Sequence, residues 1–204
     1  MAGTTLTQEQ IQRAVDFHGH WCPGLAIGLR ASEIALREFG RAGDEEIVAV
    51  VECDNCAVDA IQALTGCTFG KGNLIHRDYG KTAFTFYRRS DGKALRLVFD
   101  AAQLGRPTET MAALQEKRAA GRLTPAEEEQ LAAARADWGR RIMDAEPGEG
   151  FLQQPVSTPA PARARIMCSL TCEACGEKTM ESRTRRFDGR IVCQPCFERL
   201  EARL

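Results

Sequence analysis

Phe17-His18-Gly19-His20-Trp21-Cys22-Pro23-Gly24 is the stretch from which the rest of the chain is read. It holds two of the three histidines, one of them four residues before a cysteine. Imidazole and thiolate are the usual nitrogen and sulfur donors to zinc and related ions. Pro23 opens an apolar helical run, and proline suits the first helical position because the N–H it lacks has no partner there. Cys22 therefore falls at a helix N-terminus, where partial positive charge favours a thiolate. The competing reading is a tight turn with a buried histidine pair and an inert cysteine. A second turn of the same make favours chemistry. Asp54-Asn55 offers an N-cap, so Cys56 opens a helix through Thr65, with Asp59 one turn further along the same face. Cys67 follows Gly66 at the end of that helix.

Around these turns the pattern is mixed. Thr7-Gln-Glu-Gln10 is a capping box, predicting a helix to about Phe17. Leu25, Gly28, Leu29, Ser32, Ala35, Leu36 and Phe39 recur at helical spacing, predicting a helix from Gly24 to Phe39. Ile47 to Cys53 is short, apolar and β-branched, which predicts a buried strand. Ala83–Tyr87 and Ala94–Phe99 read as a hairpin turned at Ser90-Asp-Gly92. Arg88, Arg89 and Arg96 read as its solvated face. Gly66 to Lys71 is one residue short of a phosphate-binding loop, and no Ser or Thr follows Lys71. Its glycines are read as permitting close backbone approach to a site. Residues 108–120 and 124–144 are rich in Ala, Glu, Gln and Arg, and Thr124-Pro-Ala-Glu127 is another capping box. They predict a helical hairpin that packs on the sheet or on a second subunit. Residues 147–165 hold Pro, Gly, Ser and Gln without periodicity and read as a linker. The expected core, 1–146, is thus α+β: a helix-covered, mostly antiparallel sheet with a helical hairpin.

The last segment, 166–204, is a separate unit. Cys172-Glu-Ala-Cys175 and Cys193-Gln-Pro-Cys196 bracket a short hairpin turned at Asp188-Gly189, and Phe197 to Leu204 is helical. A knuckle, a hairpin and a second cysteine pair opening a helix make a treble-clef zinc finger. Four thiolates close the tetrahedron, so this zinc is structural. Cys168 lies outside both pairs and reads as a spare thiol. Nine cysteines, an odd number with four in Cys-x-x-Cys pairs, point to metal binding and not to disulfides. A net charge of −1 excludes a global field for nucleic acid or anionic membranes. No apolar run approaches the roughly 18 residues of a membrane span, and Met1 to Gln12 lacks a signal pattern. A cytoplasmic protein is expected.

His18-Gly-His-Trp-Cys-Pro-Gly-Leu25, Cys56-Ala-Val-Asp-Ala-Ile-Gln-Ala-Leu-Thr-Gly-Cys67 and Gly70-Lys-Gly-Asn-Leu74 together resemble the FmdE family, named for a component of formylmethanofuran dehydrogenase. The resemblance covers Leu6 to Asp144, and some members of that family also carry a C-terminal zinc finger. It implies an α+β core that dimerises, with a metal or active site lined by the motif cysteines and histidines. Cys53 departs from the family's pattern, leaving open which thiols are ligands.

The residues alone suggest the same site. Cys22, Cys56 and Cys67 can converge with His18 or His20, which share a side if the segment between them is extended. Three such donors would hold a second transition metal, zinc or iron, and leave one position open to water or a small-molecule substrate. The site is expected to face a cleft near Lys71 and Asp78. Asp59, Asp78 and Lys71 are then candidates for supporting hydrogen bonds or proton transfer. Three functions stay open. One is a metalloprotein of one-carbon or redox metabolism, alone or among the subunits of a molybdenum or tungsten oxidoreductase. Another is a metal-sensing adapter whose finger contacts a partner. The third is a thiol enzyme with Cys56 or Cys22 as nucleophile. Glu173, Glu177, Glu181 and Glu198 offset Arg183, Arg185, Arg186 and Arg190 in the finger, so nucleic acid is not the expected partner.

Overall fold

Alternation along one short strand organises the core. In β1 (Ile47–Val51), Ile47, Ala49 and Val51 join one apolar cluster while Val48 and Val50 join another. Successive strand side chains point to opposite faces, so β1 is covered on both sides. In the computed structural model, which describes residues 3–105 and 108–202, β1 lies second in a five-stranded sheet of order β2-β1-β3-β4-β5. β2 (Leu74–His76) runs parallel to β1. The antiparallel remainder is β3 (Ala83–Arg88), β4 (Ala94–Phe99) and β5 (Phe151–Pro155).

The helices lie in two layers on the face of Ile47, Ala49 and Val51. α2 (Pro23–Phe39) and α3 (Ala57–Thr65) pack against that face and against each other. Beyond them lie α1 (Gln8–His18) and the hairpin of α4 (Glu109–Ala119) and α5 (Pro125–Asp144). Leu25 and Leu29 of α2 meet Trp138, Ile142 and Met143 of α5, so the hairpin packs chiefly on α2, with Phe99 of β4 at the edge of the same cluster. The capping boxes at Thr7 and Thr124 both form. α2 buries an ion pair. Arg30 lies 2.5 Å from Glu33 and also donates to the carbonyl of Ala145 at 2.7 Å, while Glu33 accepts from the Thr5 hydroxyl at 2.7 Å. The ends of α1 and α5 are thereby tied to α2.

Two expectations change. The segment 147–165, which composition reads as a linker, supplies the edge strand β5. Val156 and Ala160 then pack on the second face of the sheet, against Val48, Val50 and Tyr87. The tract reads as structureless because four of the five residues in β5 are exposed, as befits an edge strand. Arg88, Arg89 and Arg96 are not a free solvated face. Arg96 grips both oxygens of Glu52 at 2.7 and 2.8 Å, Arg88 pairs with Asp91, and Arg89 donates to the carbonyls of Glu45, Pro161 and Ala162.

Contacts divide the chain between Arg163 and Ala164 into two units. In the second, β6 (Ser169–Thr171) pairs with β7 (Lys178–Met180), β8 (Thr184–Phe187) pairs with β9 (Arg190–Cys193), and α6 (Gln194–Glu201) follows. Asp188 and Gly189 both take positive φ, 49° and 75°, the conformation a two-residue hairpin turn requires. Arg203 and Leu204, expected within the last helix, lie outside the described residues. No helix among the described residues is long and apolar enough to cross a membrane.

Candidate metal centres

α1 ends at His18, and Gly19 caps it at φ 90°, returning its N–H to the Val15 carbonyl at 2.7 Å. Only glycine adopts this left-handed conformation without cost. The turn brings the His20 ring to 4.4 Å from the His18 ring, so the two imidazoles come together around a left-handed glycine and not along an extended strand. Two residues on, Cys22 caps α2, its Sγ accepting from the Leu25 N–H at 3.3 Å. Donor atoms of His18, His20 and Cys22 all lie within 4.8 Å of one another.

α3 supplies the support. Asp59 Oδ2 lies 2.7 Å from His18 Nδ1, which leaves Nε2 toward Cys22 Sγ at 3.7 Å. A carboxylate behind an imidazole fixes its tautomer and raises its basicity as a ligand. Cys56 arrives across the α2–α3 contact. A Cβ placed on Gly24 would stand 3.5 Å from Cys56 Sγ and 3.8 Å from Cys22 Sγ, so the two thiols flank that glycine. Cys56 does not behave as a dipole-activated thiol. Asn55 Oδ1, not Cys56, accepts from the first-turn N–H of Ala57 at 3.0 Å, and burial, followed by the neighbouring Cys22 thiol, pushes the Cys56 thiol above its usual range. Two imidazoles and one thiol, with a second thiol beside them, suit zinc or iron.

Cys67 is not brought to this cluster. It is fully buried in the core between sheet and helices, donates to the Ile47 carbonyl at 3.4 Å, and burial pushes its thiol up. Lys71 lies near Cys67, and neither Lys71 nor Asp78 lines the cleft that opens on His18. That cleft, about 460 Å³, is lined instead by Cys53, Asp54, Cys56, Asp59, Phe69 and His76 among others. His76 is the third histidine of the chain, which is a signal, but placing it beside the site takes the parallel pairing of β2 with β1. A second groove, about 320 Å³, meets His20, Trp21 and Cys22 from the side of the α4–α5 hairpin. Its arginines, Arg118 and Arg135, carry no sequence signal.

In the second unit, Cys172, Cys175, Cys193 and Cys196 bring their sulfurs within 4.8 Å of one another. Cys172 Sγ accepts from the Cys193 N–H at 3.2 Å, which holds its thiol down at about 6. The Cys196 thiol is pushed up to about 12, chiefly by Cys193. Four sulfurs so close ionise together only around a cation, so the cluster fits a structural zinc. Cys168 stands outside it, donating to Glu181 at 3.0 Å.

Comparison with known proteins accounts for both units. Residues 17–152 match the family model described as FmdE, molybdenum formylmethanofuran dehydrogenase operon, and residues 169–202 match the prokaryotic dksA/traR C4-type zinc finger. A probable S-adenosyl-L-methionine-binding protein of Archaeoglobus fulgidus is 35% identical over 192 residues, 90% of this chain. The chain spans about half the length of that curated relative, 51%. Among solved structures, a tungsten formylmethanofuran dehydrogenase FmdE-like protein from Syntrophus aciditrophicus shares the fold, with a TM-score of 0.62 at 22% identity over 96% of both chains. The chain belongs to the FmdE family and carries a C4-type zinc finger behind the family's α+β core.

Proposed function

We propose that the core binds a second transition metal, zinc or iron, through His18, His20 and Cys22 with Cys56 at its edge, and that this ion is the reacting centre of a one-carbon or redox metalloprotein. The observation that carries the reading is the ordered line Asp59, His18, Cys22, with His20 beside it. A bound zinc or iron supplies Lewis acidity, and three protein donors leave a coordination position for substrate. The chain's own part is to hold the donors: Asp59 orients His18, and the Leu25 N–H steadies the Cys22 sulfur. Metal analysis of the full chain tests this. Two ions per chain are expected, falling to one in Cys22→Ser and in His18→Ala. A parent protein holding a single ion, lost only when a finger cysteine is replaced, would refute the core site.

A second reading rests on the same line of atoms. Without metal, Cys22, His18 and Asp59 form the thiol–imidazole–carboxylate order of a nucleophile with its base and orienter. His18 Nε2 would take the Cys22 proton and Asp59 would stabilise the imidazolium. Metal content separates the two readings, because this one expects none in the core and rapid alkylation of Cys22 by iodoacetamide.

For the His18 cleft, the name of the Archaeoglobus relative supplies a first ligand to try, S-adenosyl-L-methionine. Phe69 lines the cleft and is 76% exposed, offering a face to a planar base, while the carboxylates of Asp54 and Asp59 suit a sulfonium. Calorimetric titration of the metal-loaded chain should show saturable binding that Phe69→Ala weakens about tenfold, the loss of one stacking contact. A flat titration would eliminate this ligand.

A further inference from the structure

The two openings at the core cluster differ in charge. The cleft on the His18 side carries Asp54 and Asp59. The 320 Å³ groove on the Cys22 side has no carboxylate in its lining and two guanidiniums, Arg118 near the end of α4 and Arg135 in the middle of α5. Both also line an adjoining pocket with Glu128, which pairs with neither. Among the described residues, neither guanidinium has an ion-pair or hydrogen-bond partner. Arginines packed inside the core are engaged, Arg30 with Glu33 and Arg96 with Glu52, whereas Arg118 and Arg135 share the unpartnered state of exposed Arg77 and are set apart by facing one groove. α2, 17 residues long, begins at Pro23 in the wall of the same groove, so its positive end adds to the field there.

We propose that this groove is the anion-binding half of the site. Arg118 and Arg135 take the carboxylate or phosphate of a small substrate and hold its other end against His20 and Cys22. The proposal rests on reading the Cys22 cluster as the reacting centre, and it makes the two arginines specificity residues. Guanidinium is the side chain whose planar fork matches both oxyanions with paired hydrogen bonds. The volume lies at the small end of ligand pockets, about 300–1,000 Å³, which sets the size of the substrate.

Trp21 lines the groove and Trp138, the only other tryptophan, does not, so the protein carries its own reporter. The full chain is titrated with inorganic phosphate and separately with acetate, at constant ionic strength balanced by chloride. A saturable change in tryptophan emission is expected, and the anion that saturates at lower concentration names the substrate's acidic group. Arg118→Gln and Arg135→Gln should each weaken it at least tenfold, and Arg118→Lys should restore only part, since it keeps charge without the fork. No saturable change with either anion, or unchanged affinity in both glutamine variants, overturns the proposal. Metal content of the same samples separates the two claims. A parent with two ions and no anion response sinks the groove alone. Arginine-dependent saturation in a chain that never holds a core ion keeps the groove and sinks the metal reading.

Discussion

Replacing Cys193 with serine is expected to release the zinc of the C-terminal unit and to unfold residues 169–202, with the core left folded. The reason is how little else holds that unit. Its apolar cluster consists of Cys172, Val192, Cys193 and Cys196, with Phe187 and Phe197, edge to face with each other, packed against it. Three of those four buried residues are metal-site sulfurs, so the core of the unit is the metal site itself. Segments below about 40 residues rarely fold on hydrophobic burial alone. Structural zinc supplies about 10–16 kcal/mol in such modules, and that free energy is folding free energy. Cys193 is the costliest of the four to lose. Its sulfur sits where β9 ends and α6 begins, so losing it frees both elements from the metal at once. In a proton–nitrogen correlation spectrum the amides of residues 169–202 should collapse to random-coil shifts, while those of the sheet β2-β1-β3-β4-β5 keep their dispersion. A chelator should do the same to the parent protein. Finger amides that stay dispersed after chelation would show that the unit folds without metal.

The finger was legible because its geometry is written in local spacing: each Cys-x-x-Cys pair closes on itself, and Asp188-Gly189 specifies the turn between them. The helices of the core were legible for the same reason, through caps at Thr7, Cys22 and Thr124 and glycines at the C-terminal ends. What escaped was non-local. β5 joins the sheet edge through pairing with β4, and its four exposed residues, Leu152, two glutamines and Pro155, give no periodic signal. The core site was half legible. His18, His20, Cys22, Cys56 and Asp59 share short motifs, and the fold brings them together. Cys67 has the same residue type and comparable glycine flanks, yet Gly66 turns it into the apolar interior beneath Ile47. Spacing along a chain reports which residues are neighbours in a turn. It does not report which side of a sheet–helix interface the turn delivers them to.

Gly28→Ala is expected to cost about 3 kcal/mol or more and, with the core site as proposed above, to lose that metal as well. In an exposed helix interior the same change would gain about 1 kcal/mol, since alanine is the better helix former. Here the sign reverses. A Cβ on Gly28 would stand 2.2 Å from the carbonyl oxygen of Ala57 and 2.6 Å from its Cα, distances no real Cβ tolerates. These are backbone atoms of the first turn of α3, so no side chain can rotate away, and the helices must part by about 1 Å to restore ordinary contact. α2 carries Cys22 at its N-terminus, and α3 carries Cys56 and Asp59 at its own. Parting them draws Cys56 from Cys22 and stretches the 2.7 Å bond from Asp59 to His18, so stability and metal affinity fall together. Gly43→Ala is the control: nothing lies within 4 Å of the added carbon, and its effect should stay within about 0.5 kcal/mol. Guanidinium unfolding followed by circular dichroism, with metal content measured on the same samples, reads both quantities. A Gly28→Ala protein within about 1 kcal/mol of the parent, still holding its core ion, would mean that the close approach of α2 to α3 is not what assembles the site.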